Sequence, residues 1–408
     1  MTDYLGNALE GTNPGTSPGV TAAQGFRASG ITAGLKASGK SDMALVVNDG
    51  PNDAAAAVFT TNRVVGAPVL WSRQVINDGV AQAVVLNSGG ANVSTGPEGF
   101  QDSHATAEKV AECLGVSAGD VIVCSTGLIG ERLPRQILLD GVETAAQHLS
   151  ESGGGDAAKA IMTTDSRPKT AHVTVTTATG QFTVGGMAKG AGMLAPAMAT
   201  MLCVITTDAD VAAAELDETL RAATSTTFDR VDSDGCMSTS DTVLLMASGA
   251  AGVKPGEDEF KAAVRKVCAS LARQLVADAE GASHDVAMHV VGATTEEAAV
   301  TVARTVTRSN LFKAAIFGND PNWGRVIAQA GTVPEEVAPF DAERLDVTIN
   351  GVMVCKNSRP HADRSEVDMA ADREVHVTLD LNAGTHSATI WSNDLTHDYV
   401  HENSAYST

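Results

Sequence analysis

Aromatic residues make up only 4% of the 408-residue sequence, and its 28 Lys and Arg are outnumbered by 49 Asp and Glu. The first shortage means that cores must be built from Val, Leu, Ile, Met and Ala. The second, a formal net charge of −21, argues against nucleic acid or an anionic membrane as a main partner, because both bind through Lys/Arg surfaces. No pair among the six cysteines (Cys113, Cys124, Cys203, Cys236, Cys268 and Cys355) has C-x-x-C spacing, and most lie in apolar runs. Buried free thiols in a reducing compartment are the expectation. No apolar run approaches the ~20 residues of a membrane span. The opening MTDYLGNALEGTNPGTSPG has neither the basic nor the apolar region of a signal peptide, so a cytoplasmic location is expected. The His and Asp residues show no metal-ligand spacing, and neither a metal nor a prosthetic group is expected.

With 43% hydrophobic and 19% charged residues, the chain reads as a packed globular protein. At about 100–200 residues per core, it divides into two or three units. Residues 1–20 read as a flexible tail. Short strands are predicted at 43–48, 54–59, 69–71, 83–87 and 121–124, with helices at 105–113 and 134–149 between or after them. Residues 170–184 read as a hairpin turning at Thr179-Gly180, and 201–206 and 242–247 as buried strands. Phe260, Val264, Val267, Leu271 and Leu275 recur at steps of three and four, which predicts a helix over 257–279. A helix at 295–309 and strands at 286–291, near 345–349, 375–379 and 388–391 follow. A soft boundary near residue 281 separates a core over 21–281 from a smaller α/β domain over 282–408. The class is α/β or α+β, with the topology left open.

Two glycine-rich segments invite a functional reading. Residues 34–41 (GLKASGKS) match G-x-x-x-x-G-K-[ST] letter for letter. A phosphate-binding loop, however, needs a strand leading in and a helix leading out, so that helix N–H groups meet the phosphate. Here a short stretch broken at Ser29-Gly30 leads in, and the strand-like MALVVN leads out. The segment is expected to be a turn. The second, residues 185–192 (GGMAKGAG), lacks Rossmann spacing. It is either a tight turn or a backbone packed close to a reaction centre, with Lys189 as a charged handle.

The stretch after it supplies chemistry. Thr200 stands at the head of an apolar strand, behind the constrained LAPAMA. Attack of its hydroxyl on the Ala199 carbonyl, an N→O acyl shift and hydrolysis would free an α-amine on Thr200. Such an amine titrates near ~7.7–8.0 and serves as base for its own hydroxyl. One threonine before a strand is a common feature. The segment GGMAKGAGMLAPAMATMLCVITTDA, however, closely resembles the cleavage segment of the ornithine acetyltransferase family, the bifunctional glutamate N-acetyltransferases of arginine biosynthesis. VVLNSGGANVSTG, CSTGLIGERLP, AIMTTDSRPK, DSDGCMSTSDTVLL, ADAEG, FGNDPNWGRV and the terminal ENSAYST extend the resemblance, in order, from about Gly25 to Thr408.

The resemblance implies an αββα-type sandwich related to amino-terminal-nucleophile enzymes, cut between Ala199 and Thr200, with its C-terminal tail returning to the site. It implies that Thr200 is the nucleophile, and that Thr126 and Gly127 form the oxyanion hole. It places Thr163, Lys189, Thr200, Glu280, Asn403 and Thr408 on the substrates. Lys189 suits their α-carboxylate and Glu280 the additional ammonium of ornithine. At the C-terminal end of the predicted helix, Glu280 would oppose the macrodipole, which also favours a ligand role. The implied reaction is ping-pong acetyl transfer from N²-acetyl-L-ornithine to L-glutamate, with acetyl-CoA as a possible second donor. The implied assembly is an α₂β₂ complex of the fragments 1–199 and 200–408. Ala197, where many relatives have Asn, puts the cleavage rate in question, and Cys236 replaces the Asp or Ser of many relatives. The remaining alternatives are an amidase or aminopeptidase with the same nucleophile, an acyltransferase of secondary metabolism, and an intact non-catalytic binding protein.

Overall fold

The structure, a computed structural model, describes residues 11–195 and 201–405. Its strands are β1 Phe26–Ile31, β2 Met43–Asn48, β3 Ala55–Phe59, β4 Ala83–Asn87, β5 Val121–Ser125, β6 Lys169–Thr177, β7 Gly180–Lys189, β8 Leu202–Thr207, β9 Thr242–Ala247, β10 Asp285–Ala293, β11 Asp346–Ile349, β12 Val352–Lys356, β13 Arg359–Pro360, β14 Glu374–Asp380 and β15 His386–Asn393. Its helices are α1 Ala67–Val75, α2 Gly96–Leu114, α3 Arg135–Gln147, α4 Gly154–Ala160, α5 Ala213–Thr226, α6 Glu257–Val276, α7 Glu296–Thr307, α8 Asn310–Phe317, α9 Trp323–Ala330 and α10 His397–Ala405.

Strand alternation builds four layers. The first sheet runs β1-β2-β4-β5 and the second β3-β9-β8-β7-β6. Side chains alternate across a strand. Met43, Leu45 and Val47 of β2 therefore pack outward on Val110 of α2 and Leu138 and Val142 of α3. Ala44 and Val46 face inward on Met187, Leu202, Val204 and Leu244 of the second sheet. The far face of that sheet, with Phe182, Cys203, Ile205 and Val243, is covered by Leu216 and Leu220 of α5 and by Phe260, Val264, Val267 and Leu271 of α6. This is an αββα sandwich. The third sheet, β13-β12-β11-β14-β10-β15, is packed by α7, α8 and α9 around a separate core. Asn393 at the end of β15 joins it to the sandwich by donating to the Val276 carbonyl at the end of α6. Among the described residues no helix is long and apolar enough to cross a membrane.

Several expectations are corrected. Residues 69–71 lie inside α1, whose Pro68 sits in the first turn; three apolar residues are too few to set a period. Residues 26–31 form a full strand, and Gly30 in it gives room to α4, since an added Cβ would lie 2.0 Å from the Asp156 carbonyl oxygen. The tail expected over 1–20 does not hold for residues 12–20. The Thr12 carbonyl accepts from His172 N, Gly15 N donates to Thr170 O, and Thr12 and Val20 are buried. α6 ends at Val276, so Glu280 lies in the following turn rather than on the helix. Its position therefore owes nothing to the macrodipole. Cys236 is exposed rather than buried, whereas Cys124, Cys203, Cys268 and Cys355 are buried.

Candidate active site

Residues 34–41 form a turn whose backbone is already occupied. The carboxylate of Asp42 accepts the N–H groups of Ala33 (2.6 Å), Gly34 (3.1 Å), Leu35 (2.6 Å) and Lys36 (2.9 Å). Successive N–H groups of this kind form an anion nest, and here the anion is the protein's own. Strand β2, not a helix, follows the loop. Lys36 turns away from the nest and donates to the carbonyls of Ser41 (2.9 Å) and Met162 (2.6 Å).

The other glycine-rich segment leads to a cleft between the sheets. Strand β5 ends at Ser125, whose hydroxyl is fixed by Asn87 Oδ1 at 2.5 Å. Thr126 N donates to Asn87 O at 3.0 Å, so parallel pairing with β4 carries the chain one residue further. The next residue, Gly127, has φ +129°, and an added Cβ would stand 2.8 Å from Gly90 N. A side chain there is excluded both by conformation and by space. The Gly89-Gly90 turn of the first sheet thus sets the position of the Thr126-Gly127 pair.

Strand β7 delivers Lys189, which is 1% exposed, and its ammonium donates to Thr126 Oγ1 at 3.4 Å. Burial pulls the Lys189 ammonium below its ordinary range, aided by Lys169, while Asp165, Asp241 and Glu280 oppose that shift. Asp165 is the hub below it. Its Oδ1 accepts from Lys169 Nζ (2.6 Å) and Gly190 N (2.7 Å), and its Oδ2 from Thr163 N (2.9 Å). Burial disfavours the Asp165 charge, but Lys189 and Lys169 overcome this and hold the carboxyl well below the usual carboxylate range. One carboxylate therefore fixes the backbones of both Thr163 and the loop after Lys189.

The opposite wall comes from the second half of the chain. Glu280 N donates to Ala191 O at 3.0 Å, and an added Cβ on Gly192 would lie 2.6 Å from Glu280 Oε2. Glycine at 192 is what lets the carboxylate lie against this loop. Asn403 of α10 donates to Glu280 Oε2 at 3.0 Å. Helix α10 reaches this point because Gly281, with φ +59°, leaves space for the Tyr399 backbone.

Of the sequence-derived candidates, Thr126, Gly127, Thr163, Lys189, Glu280 and Asn403 line this one cleft, together with Thr164, Gly192 and Met193. Ala199, Thr200 and Thr408, with Ala197, lie outside the described residues. The flanks of residues 196–200 lie in the same fold: Leu194 pairs with Met237, and Met201 leads into β8. Sequence reasoning missed the supports, Asn87, Asp165, Gly192 and Asp241. Each lies inside a stretch quoted for the resemblance, Gly192 also inside the glycine-rich 185–192, but the resemblance assigned none of them a role.

In a small cleft of this αββα sandwich the Thr126 hydroxyl and Gly127 lie beside a buried cation, Lys189, an arrangement compatible with acyl transfer. A family model described as the ArgJ family matches residues 27–408. The chain belongs to the ArgJ family. It is 63% identical over 389 residues to the arginine biosynthesis bifunctional protein ArgJ of Streptomyces coelicolor, covering 95% of this chain and 100% of that protein. Over 391 residues it is 55% identical to the protein of the same name in Bifidobacterium longum, at 95% and 99% coverage. A solved chain of Mycobacterium tuberculosis ornithine acetyltransferase complexed with ornithine is 55% identical, with a TM-score of 0.43, covering 45% of this chain and 98% of that one.

Proposed function

We propose that this protein transfers the acetyl group of N²-acetyl-L-ornithine to L-glutamate through an acetyl ester on Thr200, after cutting itself before that residue. The observation that carries the reading is the convergence, in one cleft, of Thr126, Gly127, Thr163 and Lys189 from before the cut with Glu280 and Asn403 from after it.

In this mechanism the freed α-amine takes the proton of the Thr200 hydroxyl as Oγ attacks the acetyl carbonyl. The Thr126 hydroxyl and the Gly127 N–H receive the oxyanion. Because the Lys189 ammonium donates to Thr126 Oγ1, the threonine's own hydrogen is free to turn toward that charge. Ornithine leaves with the proton, and the glutamate amine attacks the ester from the same side, regenerating Thr200. Lys189 supplies a countercharge for the α-carboxylate common to both amino acids. Glu280, held by Asn403, faces the side-chain ammonium of ornithine. Thr163, and Thr408 of the tail, complete the substrate contacts. Acetyl-CoA is a second candidate donor. The mature state is the α₂β₂ complex of fragments 1–199 and 200–408, in the cytoplasm.

The test is intact mass and N-terminal sequencing of fresh protein beside Thr200→Ala. Two fragments, the second beginning Thr200-Met201-Leu202, with an uncut variant, are the expected result. One intact active chain would overturn it. Ornithine release that depends on glutamate marks transfer; release without glutamate marks the amidase alternative.

A further inference from the structure

Beside the cleft runs a chain of buried charges that the reaction above does not use. Lys169, the first residue of β6, is fully buried, and its ammonium bridges two buried carboxylates. It donates to Asp165 Oδ1 at 2.6 Å and to Asp278 Oδ2 at 2.5 Å. Asp165 in turn holds Thr163 N and Gly190 N at the cleft. Asp278 stands in the turn after α6, two residues before Glu280. It accepts from Ser166 N at 3.1 Å and from the Ser166 hydroxyl. Arg167 adds a bond to the Ala277 carbonyl at 3.0 Å. Residues 165–169 therefore grip one wall of the cleft and, through the turn after α6, the wall opposite.

A buried ion chain is a poor source of stability, because taking the charges out of water costs about what their attraction returns. What it supplies here is fixed geometry. The signs alternate along Asp278, Lys169, Asp165 and Lys189, and Lys189 also feels the charge of Glu280. The circuit thus ends on the two residues that the proposed reading gives to ornithine, Lys189 for its α-carboxylate and Glu280 for its side-chain ammonium. Lysine and 2,4-diaminobutyrate carry the same groups as ornithine and differ from it by one methylene. A site tells them apart only if its own two charges are held at a set distance, since a carboxylate on a loose turn would follow each ammonium. The direct tie between the walls, Glu280 N to Ala191 O, fixes the turn at one point and leaves it free to pivot. Asp278 supplies the second point.

We propose that Asp278, acting through Lys169, is a positioning residue that fixes the distance between Glu280 and Lys189 and so makes the cleft select ornithine over its one-methylene homologues. This rests on the reading of the cleft as the acetylornithine site.

The test is calorimetric binding of L-ornithine, L-lysine and L-2,4-diaminobutyrate to the full protein, which reads the span without turnover. Wild type should bind ornithine about 10–200-fold more tightly than either homologue, the usual worth of one methylene in a fitted site. Asp278→Ala leaves Lys169 paired with Asp165, so no buried charge is stranded and the variant should fold, as its melting temperature will show. Its preference for ornithine should shrink at least fivefold, through weaker ornithine binding. Asp278→Asn keeps an oxygen for Lys169 and should restore most of that preference, whereas a purely structural residue would move melting temperatures alone. If Asp278→Ala does not fold, Ser166→Ala frees one carboxylate oxygen and strands no charge, and it should cost at least twofold in preference. Wild type that binds the three within tenfold of one another would overturn the proposal. So would folded Asp278→Ala that loses less than fivefold, Asp278→Asn as unselective as Asp278→Ala, or, in its stead, Ser166→Ala that loses less than twofold. Failure of the transfer reading shows elsewhere, as ornithine release that does not depend on glutamate, and leaves these binding ratios unaffected.

Discussion

The two glycine-rich segments have nearly the same letters and opposite fates. Residues 34–41 carry a complete phosphate-loop motif, yet their N–H groups are filled by the Asp42 carboxylate. Residues 185–192 lack any nucleotide-binding spacing, yet Lys189, Gly190 and Gly192 each hold part of a cleft. The difference lies in where the polar groups are satisfied. A nest that contains its own anion has nothing left to offer a ligand. A loop whose cation donates to a hydroxyl at an open cleft is placed where a ligand can enter.

The comparison breaks most readily on the cleft side. Thr126→Val removes one donor of the proposed oxyanion hole and should lower kcat by about 10²–10³, roughly 2.7–4 kcal/mol, with a small change in KM, measured by ornithine release in saturating glutamate. Glu280→Gln removes the charge proposed to face the ornithine side chain and should raise KM for acetylornithine by about tenfold, near 1.4 kcal/mol, while leaving KM for glutamate nearly unchanged. On the loop side, Asp42→Ala orphans the N–H groups and should lower stability by about 3 kcal/mol, read by urea midpoint, with no selective change in either KM. A matching shift in KM would mean that the nest belongs to the site after all. Millimolar ATP should leave the wild-type melting temperature unchanged.

The smallest effect concerns Lys36. Burial lowers its ammonium to about 8, with Asp42 pulling the other way. The unfolded chain then holds more protons than the folded one between pH 8 and the ordinary lysine value, so stability rises with pH across that window. Wild type should gain on Lys36→Met from pH 8 to 10 in parallel melts, and the difference should be constant below pH 7.

Legibility followed length and repetition. The predicted strands at 43–48, 83–87 and 242–247 match β2, β4 and β9, because a continuous apolar strand buried between two layers announces itself. The periodic face of α6 did so too, though not its end, since the chain after Val276 keeps helical composition. The three residues 69–71 were too few, and Gly30 was misread because the helix it admits is more than a hundred residues away in sequence. The cleft residues were legible through motif resemblance alone. No single stretch signals that Glu280 meets Gly192. Asp241 lies in the quoted DSDGCMSTSDTVLL, but its contact with Met201 comes from parallel pairing of β8 with β9, a tertiary fact no single stretch signals.

Strand β8 lies inside its sheet, with β7 on one side and β9 on the other, and its register against β7 runs from Lys189↔Leu202 to Val184↔Thr207. The proposed cut before Thr200 would make those ladder bonds intermolecular. The molecularity of folding would change with it. An uncut chain would refold as a first-order process, whereas a cut pair would have to find each other, so recovery from denaturant would become dependent on concentration. Maturation would act as a ratchet, leaving a catalyst of fixed one-to-one stoichiometry that is easy to make once and difficult to remake.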